Sequence, residues 1–143
     1  MQVQMLAPAA VLVAWSLIIL VWMTATRLGT MSKMGMKAAE AKPGGRGKDL
    51  DGVLPDPVNW KAHNYTHLME TPTLFYAAVV IIALLGASAS DVLVAWIYVA
   101  LRILHSLWQA LVNTIPWRLR LFALSVVALA WLAVRALQLT LFA

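Results

Sequence analysis

The 143-residue sequence contains no cysteine. The chain can therefore form no disulfide, no thiolate metal site and no protein thiol nucleophile, so any sulfur chemistry needs a thiol supplied from outside. Charged residues make up only 12% of the chain, about half the usual share. Apolar residues make up 62%, more than a water-soluble domain of this size could bury. These proportions exclude an ordinary soluble enzyme, a disordered chain and a DNA-binding module, and they indicate that lipid surrounds the protein.

Four apolar runs are long enough to cross a bilayer, which takes about 20 residues per helix. Asp56 and Pro57 form a helix start signal, with Asp56 as the expected N-cap and Pro57 as the first helical residue. The segment AKPGGRGKDLDGVLPDP contains four glycines and three prolines, which is typical of a flexible or irregular connection. We therefore predict an all-α membrane protein with a single four-helix domain, residues 1–143. Its expected helices cover about residues 6–27, 57–86, 91–113 and 117–142, with a cytoplasmic loop at 28–56.

The positive charges are distributed unevenly. Of the eleven lysines and arginines, nine lie outside the apolar runs, in or beside the first and third connections. The second connection and both tails contain none. Because positive residues accumulate on the cytoplasmic side of a membrane, both termini are expected on the non-cytoplasmic side. The expected location is the cytoplasmic membrane if the protein is bacterial, and the basic residues indicate a membrane surface and no nucleic-acid partner.

Ionisable residues inside membrane helices are costly and point to a partner or a function. In the second predicted helix, His63, His67 and Glu70 are spaced by four and three residues, which places them on one helical face. In the third, the same kind of spacing produces a second polar stripe. This stripe consists of Tyr98, Arg102, His105 and Gln109.

The rise of about 1.5 Å per residue places both stripes at one level in the cytoplasmic half of the membrane. We expect a pocket open to the cytoplasm, with Arg118 and Arg120 at its opening. Three other interpretations remain open. The polar residues could simply pair and hold the helices together. His63, His67 and Glu70 could hold a metal or haem. Glu70, Arg102 and His105 could form a proton or ion path.

The motifs AHN…METPTLF, Tyr98-x3-Arg102-x2-His105-Ser106-x2-Gln109 and Pro116-x-Arg118 resemble those of the MAPEG family. This family comprises the membrane-associated proteins in eicosanoid and glutathione metabolism, such as the microsomal glutathione transferases. The resemblance covers nearly the whole chain through its four-span plan and polar loop. It implies a homotrimer that binds glutathione in a U shape between subunits, near the cytoplasmic face, and acts on a lipophilic small molecule from the bilayer.

The resemblance also implies roles for individual residues. Glu70 looks like the carboxylate that holds the γ-glutamyl amine, and Arg118 looks like the arginine that activates the thiol. His67, or Asn64 in a shifted alignment, stands where the family has an asparagine. The expected catalytic residue is thus Arg118, no metal is expected, and the expected glutathione-binding residues are His63, Asn64, His67, Glu70, Tyr98, Arg102, His105, Gln109 and Arg120.

The sequence departs from the family pattern in several places. The usual Arg-x3-Asn-x2-Glu spacing is not cleanly present, and Pro72 follows Glu70 more closely than is common. Phe122 stands where a tyrosine is common. The function expected from the sequence is a glutathione-dependent transferase or peroxidase acting on lipophilic electrophiles or lipid hydroperoxides. The alternative is a non-enzymatic relative that binds lipid or serves as a scaffold.

Overall fold

The computed structural model describes residues 1–142, and over this range the chain is helical apart from its connections. Four helical segments are long and apolar enough to cross a membrane: Gln2–Lys33, Asp56–Leu85, Ala89–Leu111 and Ile115–Leu141. The chain is thus an integral, multi-pass membrane protein. The α-helices are α1 (Gln2–Lys33), α2 (Asp56–Leu68), α3 (Thr71–Leu85), α4 (Ala89–Leu111) and α5 (Ile115–Leu141), and the loop after α1 contains short 3₁₀ turns at Ala38–Glu40 and Gly47–Leu50.

The expected second helix, residues 57–86, is divided into α2 and α3 at Met69 and Glu70. The cause is Pro72, which has no N–H to donate to the carbonyl of Leu68 and whose ring would clash with it. Glu70 leaves the helical conformation, with φ −90° and ψ −104°. Its carbonyl oxygen instead accepts bonds from the backbone N–H and the hydroxyl of Thr73, at 3.1 and 2.7 Å.

The start of α2 also differs from the sequence expectation. Pro55 occupies the N-cap, and Asp56 is the first helical residue. In this position the Asp56 carboxylate lies in the first turn, where the helix dipole favours negative charge. Asp56 and Pro57 thus mark the start of the helix, Asp56 through its charge and Pro57 through its fixed φ angle. The Asp56 side chain makes no cap hydrogen bond.

Consecutive membrane-spanning segments run in opposite directions, and α1 packs against α2, α3 and α4, while α5 packs against α4 and α3. The long loop and the turn between α4 and α5 therefore lie at one end of the bundle, and Gly86–Ser88 lies at the other. Between these ends, Phe75 stacks on Tyr98 with ring centroids 4.3 Å apart. Much of the remaining core is alanine, which allows close helix approach in lipid, where packing drives association. These core alanines are Ala9, Ala78, Ala83, Ala95, Ala128 and Ala136.

A buried ion pair joins α4 and α5 near the Gly86–Ser88 end. Asp91 is 0% exposed, and Nε of Arg135 lies 3.4 Å from its Oδ1. The other oxygen, Oδ2, accepts the backbone N–H of Ser88 and the Ser88 hydroxyl, both at 2.7 Å. One carboxylate thus caps the start of α4 and holds α5 against it.

The long loop is irregular, as its composition predicts, but its second half is bound to the helices. We call residues 47–54 the strap. The side-chain NH2 of Asn59 in α2 donates to the carbonyls of Leu50 and Leu54, each at 3.1 Å. Arg27 of α1 donates to the carbonyl of Gly47 at 3.0 Å. A Cβ on Gly47 would lie 2.8 Å from that guanidinium, so the glycine permits the close approach.

The attachment of the strap to α2 can be tested by substitution of Asn59. Substitution of Asn59 by alanine leaves two carbonyls without their donor, which costs about 1–3 kcal/mol for buried groups. The strap should then detach more often, and trypsin should cleave after Lys48 about tenfold faster in detergent. The matched amide-to-alanine control is Gln4→Ala at an exposed position of α1. Equal cleavage of the two variants would show that Asn59 does not hold the strap.

Candidate functional site

The two polar stripes face each other inside the bundle. Arg102 of α4 lies within reach of His67 of α2: one guanidinium nitrogen is 3.3 Å from His67 Nε2, and the other donates to the His67 carbonyl at 3.3 Å. The rings of His67 and His105 are 4.9 Å apart. Because these contacts join side chains 35 or more positions apart, the helices bring the two sequence motifs into one cluster.

A second contact fixes α2 and α4 to α1 beneath this cluster. The hydroxyl oxygen of Ser106 accepts from the Asn64 amide at 2.8 Å and from the Trp15 indole at 3.0 Å. Asn64 and Ser106 are both fully buried. Asn64, an expected ligand-binding residue, therefore donates to another helix, while its Oδ1 has no partner within residues 1–142.

Arg102 is the main electrostatic feature of the cluster. Its side chain is 0% exposed, and its Nε has no hydrogen-bond partner among the described residues. No carboxylate of residues 1–142 lies within ion-pair distance of it, since Glu70 contacts His67 instead, at 2.9 Å. A buried charge without a direct counter-ion is costly, and the cost falls when an anion binds. Arg102 is thus a buried cation without a direct carboxylate partner among the described residues.

Two adjoining hollows of about 220 Å³ each open beside this cluster and share His67, His105 and Arg118. We call them together the polar cavity. One hollow is completed by the polar side chains of His63 and Gln109. The other is completed by the apolar side chains of Ile115, Leu119 and Phe122 from α5. The polar cavity therefore has a cationic, hydrogen-bonding part and a hydrophobic part.

Arg118 is held at the edge of the polar cavity by the turn between α4 and α5. Its guanidinium donates to Oδ1 of Asn113 at 2.6 Å. Asn113 adopts φ 56°, a left-handed conformation that asparagine tolerates better than most residues. The turn thus directs one half-buried guanidinium toward the two histidines.

His63 connects the polar cavity to a second cavity of about 390 Å³ beneath the strap. Its Nε2 lies 3.0 Å from the carboxylate of Asp51 in the strap. Arg27, Arg46 and Lys48 also border this strap cavity. Positive groups therefore line two neighbouring cavities at the loop end of the bundle.

The remaining expected site residues lie in different surroundings. Gln109 lines the polar cavity, and its Oε1 is buried without a partner among residues 1–142. Tyr98 is buried against Phe75, and its hydroxyl has no hydrogen-bond partner in the described chain. Arg120 lies over the ring of Trp117 at 5.1 Å and does not border the polar cavity. Residues two positions apart in a helix point in nearly opposite directions, which separates Arg120 from Arg118.

Arg27 and Phe122 also border the cavities, although neither was predicted from the sequence as a site residue. Phe122 packs against His67 at 5.2 Å and His105 at 6.1 Å, and the Arg102 guanidinium carbon lies 5.8 Å from its ring centroid. Its position four residues after Arg118 was the available signal, because such residues share a helical face. Arg27 had no comparable signal, because its contacts depend on how the loop folds back.

Within residues 1–142, no group of three or more His, Asp or Glu side chains is arranged to hold a metal ion. His63 and His67 diverge instead toward different carboxylates, Asp51 and Glu70. These histidines of α2 thus make separate hydrogen-bonded pairs with carboxylates of the chain itself.

Comparison with known proteins agrees with this arrangement. The model of the MAPEG family matches residues 5–138, nearly the whole chain. Neither the curated proteins nor the solved structures contain a significant match. With four membrane-spanning segments and a family match of this extent, the chain belongs to the MAPEG family.

Proposed function

We propose that the protein binds glutathione in the polar cavity and uses its thiol to conjugate lipophilic electrophiles or to reduce lipid hydroperoxides. The observation that carries this proposal is the pair of cations next to His67 of the cavity wall. Arg118 borders the polar cavity itself. Arg102 lies buried behind the wall, 3.3 Å from His67, with no carboxylate of residues 1–142 in direct contact. Membership of a family of glutathione and eicosanoid metabolism supports the same assignment.

The charges of glutathione match the groups available. The tripeptide has two carboxylates, one ammonium and a thiol, and arginine forms strong charge-assisted bonds with carboxylates. Arg102, which contacts His67 of the cavity wall, turns from that contact to bind one carboxylate, and the cations of the strap cavity are available to the other. Glu70, whose side chain is 59% exposed, is accessible to the ammonium.

Arg118 has the position needed to activate the thiol. A thiolate is the reactive form, and a neighbouring positive charge lowers the pKa of a thiol from its ordinary value near 8.5. The guanidinium of Arg118 borders both hollows, next to the apolar wall formed by Leu119 and Phe122. A lipophilic second substrate approaches the thiolate along this wall from the bilayer.

Assembly as a homotrimer completes the proposal. Large apolar side chains cover the outer faces of the helices, for example Leu74, Leu84 and Leu137. In a trimer, part of this surface contacts neighbouring copies and the rest contacts lipid, with glutathione between subunits. The loop end of the bundle faces the cytoplasm, and both termini face the opposite side.

Calorimetry on the purified protein tests the glutathione proposal. We expect saturable binding and, on adding glutathione, the ultraviolet absorbance of a thiolate. S-Methylglutathione should bind without that absorbance, since it has no ionisable thiol. Glu70→Gln should weaken binding about tenfold, because one charged hydrogen bond contributes about 1.5–3 kcal/mol. Absence of both binding and thiolate absorbance in the wild-type protein would refute the proposal.

A second candidate function is non-enzymatic lipid binding or scaffolding. A separate cavity of about 310 Å³ between α3 and α5 supports it. Leu74, Ala78, Ile81, Leu129, Ala133 and Leu137 contribute to its mostly apolar wall. A protein with this function would retain lipid binding and fold after substitution of Arg118 and would show no glutathione-dependent turnover at all.

A further inference from the structure

The imidazole of His67 lies between a carboxylate and a guanidinium. Its Nδ1 is 2.9 Å from Oε2 of Glu70, and its Nε2 is 3.3 Å from a guanidinium nitrogen of Arg102. A guanidinium has only donors, so Nε2 must be the acceptor in this contact. The ring proton is therefore on Nδ1, which donates it to Glu70. These two contacts define a neutral imidazole with one tautomer and a basic Nε2.

The surroundings hold this ring at the polar cavity. His67 borders both hollows together with Arg118. The rings of His105 and Phe122 pack against it at 4.9 and 5.2 Å and restrict its rotation. The Arg102 contact with Nε2 is long for a charged hydrogen bond, for which about 2.7–2.9 Å is usual.

These contacts imply an order of events when the ligand binds. In the proposed function, Arg102 turns toward a carboxylate of glutathione, and Nε2 of His67 then loses its donor. The lone pair of Nε2 becomes available to a proton from within the cavity. Glu70, bonded to Nδ1, stabilises the imidazolium that forms, in the manner of a carboxylate that orients a general base.

We infer that His67 accepts the thiol proton of bound glutathione, with Glu70 as its positioning residue, while Arg118 stabilises the resulting thiolate. This inference rests on the proposed function. The S–H bond breaks with its electron pair remaining on sulfur, and an Nε2–H bond forms, so no oxidant or reductant is involved. The proton is afterwards available to the leaving alkoxide or the carbanion of the second substrate.

Other charged and titratable groups face His67 from each packed element. Glu70 lies at the junction of α2 and α3, Arg102 and His105 lie on α4, and Arg118 lies on α5. His63 borders the same cavity from one turn earlier in α2. Arg102 donates to Nε2 of His67 in this structure, so the proton transfer requires Arg102 to be engaged by the ligand.

Calorimetry in buffers of different ionisation enthalpy tests the inference, because it counts protons released when glutathione binds. If His67 takes the thiol proton, wild-type protein should form the thiolate at neutral pH and release far less than about one proton per glutathione bound. His67→Gln retains a polar side chain but has no basic nitrogen. This variant should either release about one proton per thiolate formed or form no thiolate.

Kinetics provide a second readout. His67→Gln should lower kcat about 100-fold, a usual contribution of general base catalysis, with a smaller change in KM. The decline of wild-type activity at low pH, where His67 is already protonated, should be absent in the variant. His67→Asn, which still offers a donor to Glu70, tests the same point if His67→Gln does not fold. The control is Met69→Leu, an exposed neighbour outside the cavities described above.

The outcomes separate this inference from the proposed function. Wild-type protein that binds no glutathione contradicts both. Wild-type protein that binds glutathione as a thiolate, while His67→Gln shows the same proton release and the same pH profile, refutes the role of His67 alone. Loss of kcat in the variant, together with either a changed proton count or a lost thiolate absorbance, confirms it.

Discussion

Replacing Arg118 by alanine is expected to lower kcat/KM for the glutathione-dependent reaction about 100-fold or more, as for removal of a group that stabilises developing negative charge. The reason is its position: the guanidinium borders both hollows beside His67 and His105. Binding of S-methylglutathione should change little, because that ligand has no thiolate to stabilise. Steady-state kinetics and calorimetry on the same preparation measure the two effects.

Two other substitutions serve as controls for Arg118→Ala. Lys37→Ala removes a positive charge from the exposed part of the loop, where the lysine pairs with Glu40, and should leave kcat/KM within about threefold of wild type. Arg120→Ala removes a guanidinium from the same helix but from a side chain that lies over Trp117. Its loss should be much smaller than that of Arg118→Ala. Equal losses for the two arginines would contradict the assignment of thiol activation to Arg118.

Replacing Arg135 by methionine is expected to destabilise the bundle by about 3 kcal/mol, because it leaves a buried carboxylate without its counter-ion. Asp91 is 0% exposed and is bonded to Ser88 on its other oxygen, so it cannot turn toward water. Unfolding in dodecyl sulfate, followed by far-ultraviolet circular dichroism, measures the change. Gln138→Ala, at an exposed position one turn further along α5, is the matched control.

A double-mutant cycle separates the ion pair from other effects of the substitution. Combining Asp91→Asn with Arg135→Met removes both charges, and the double variant should be more stable than Arg135→Met alone. The polar cavity lies at the other end of the bundle, so the expected binding of glutathione to the folded fraction should be unchanged. Additive losses would show that Asp91 and Arg135 do not stabilise each other.

The sequence was most informative where residues repeat with the period of a helix. The spacing of His67 and Glu70, and of Arg102 and His105, predicted two polar faces, and the structure brings these faces into contact. The apolar runs predicted the four membrane-spanning segments for the same reason, since a helix in lipid must satisfy its backbone internally.

Contacts that depend on tertiary packing could not be predicted from the sequence. Nothing in the pattern indicates that Ser106 accepts from both Trp15 and Asn64, because those residues lie on three different helices. The attachment of the strap to Asn59 could not be predicted either, although Asn59 lies four residues before His63 and so continues the polar stripe of α2. The break before Pro72 and the divergence of Arg118 and Arg120 were both readable in principle, from proline geometry and from the helical period.

The helix break at Met69 and Glu70 divides the second membrane-spanning segment into α2 and α3. Glu70 lies at this break, and its carboxylate is hydrogen-bonded to Nδ1 of the His67 imidazole. Tilting α3 against α2 would therefore rotate the carboxylate away from Nδ1 and break its hydrogen bond to the imidazole. Lateral pressure on the half of the bundle that contains α3 would in this way change the hydrogen bond that fixes the His67 tautomer in the half near the loop.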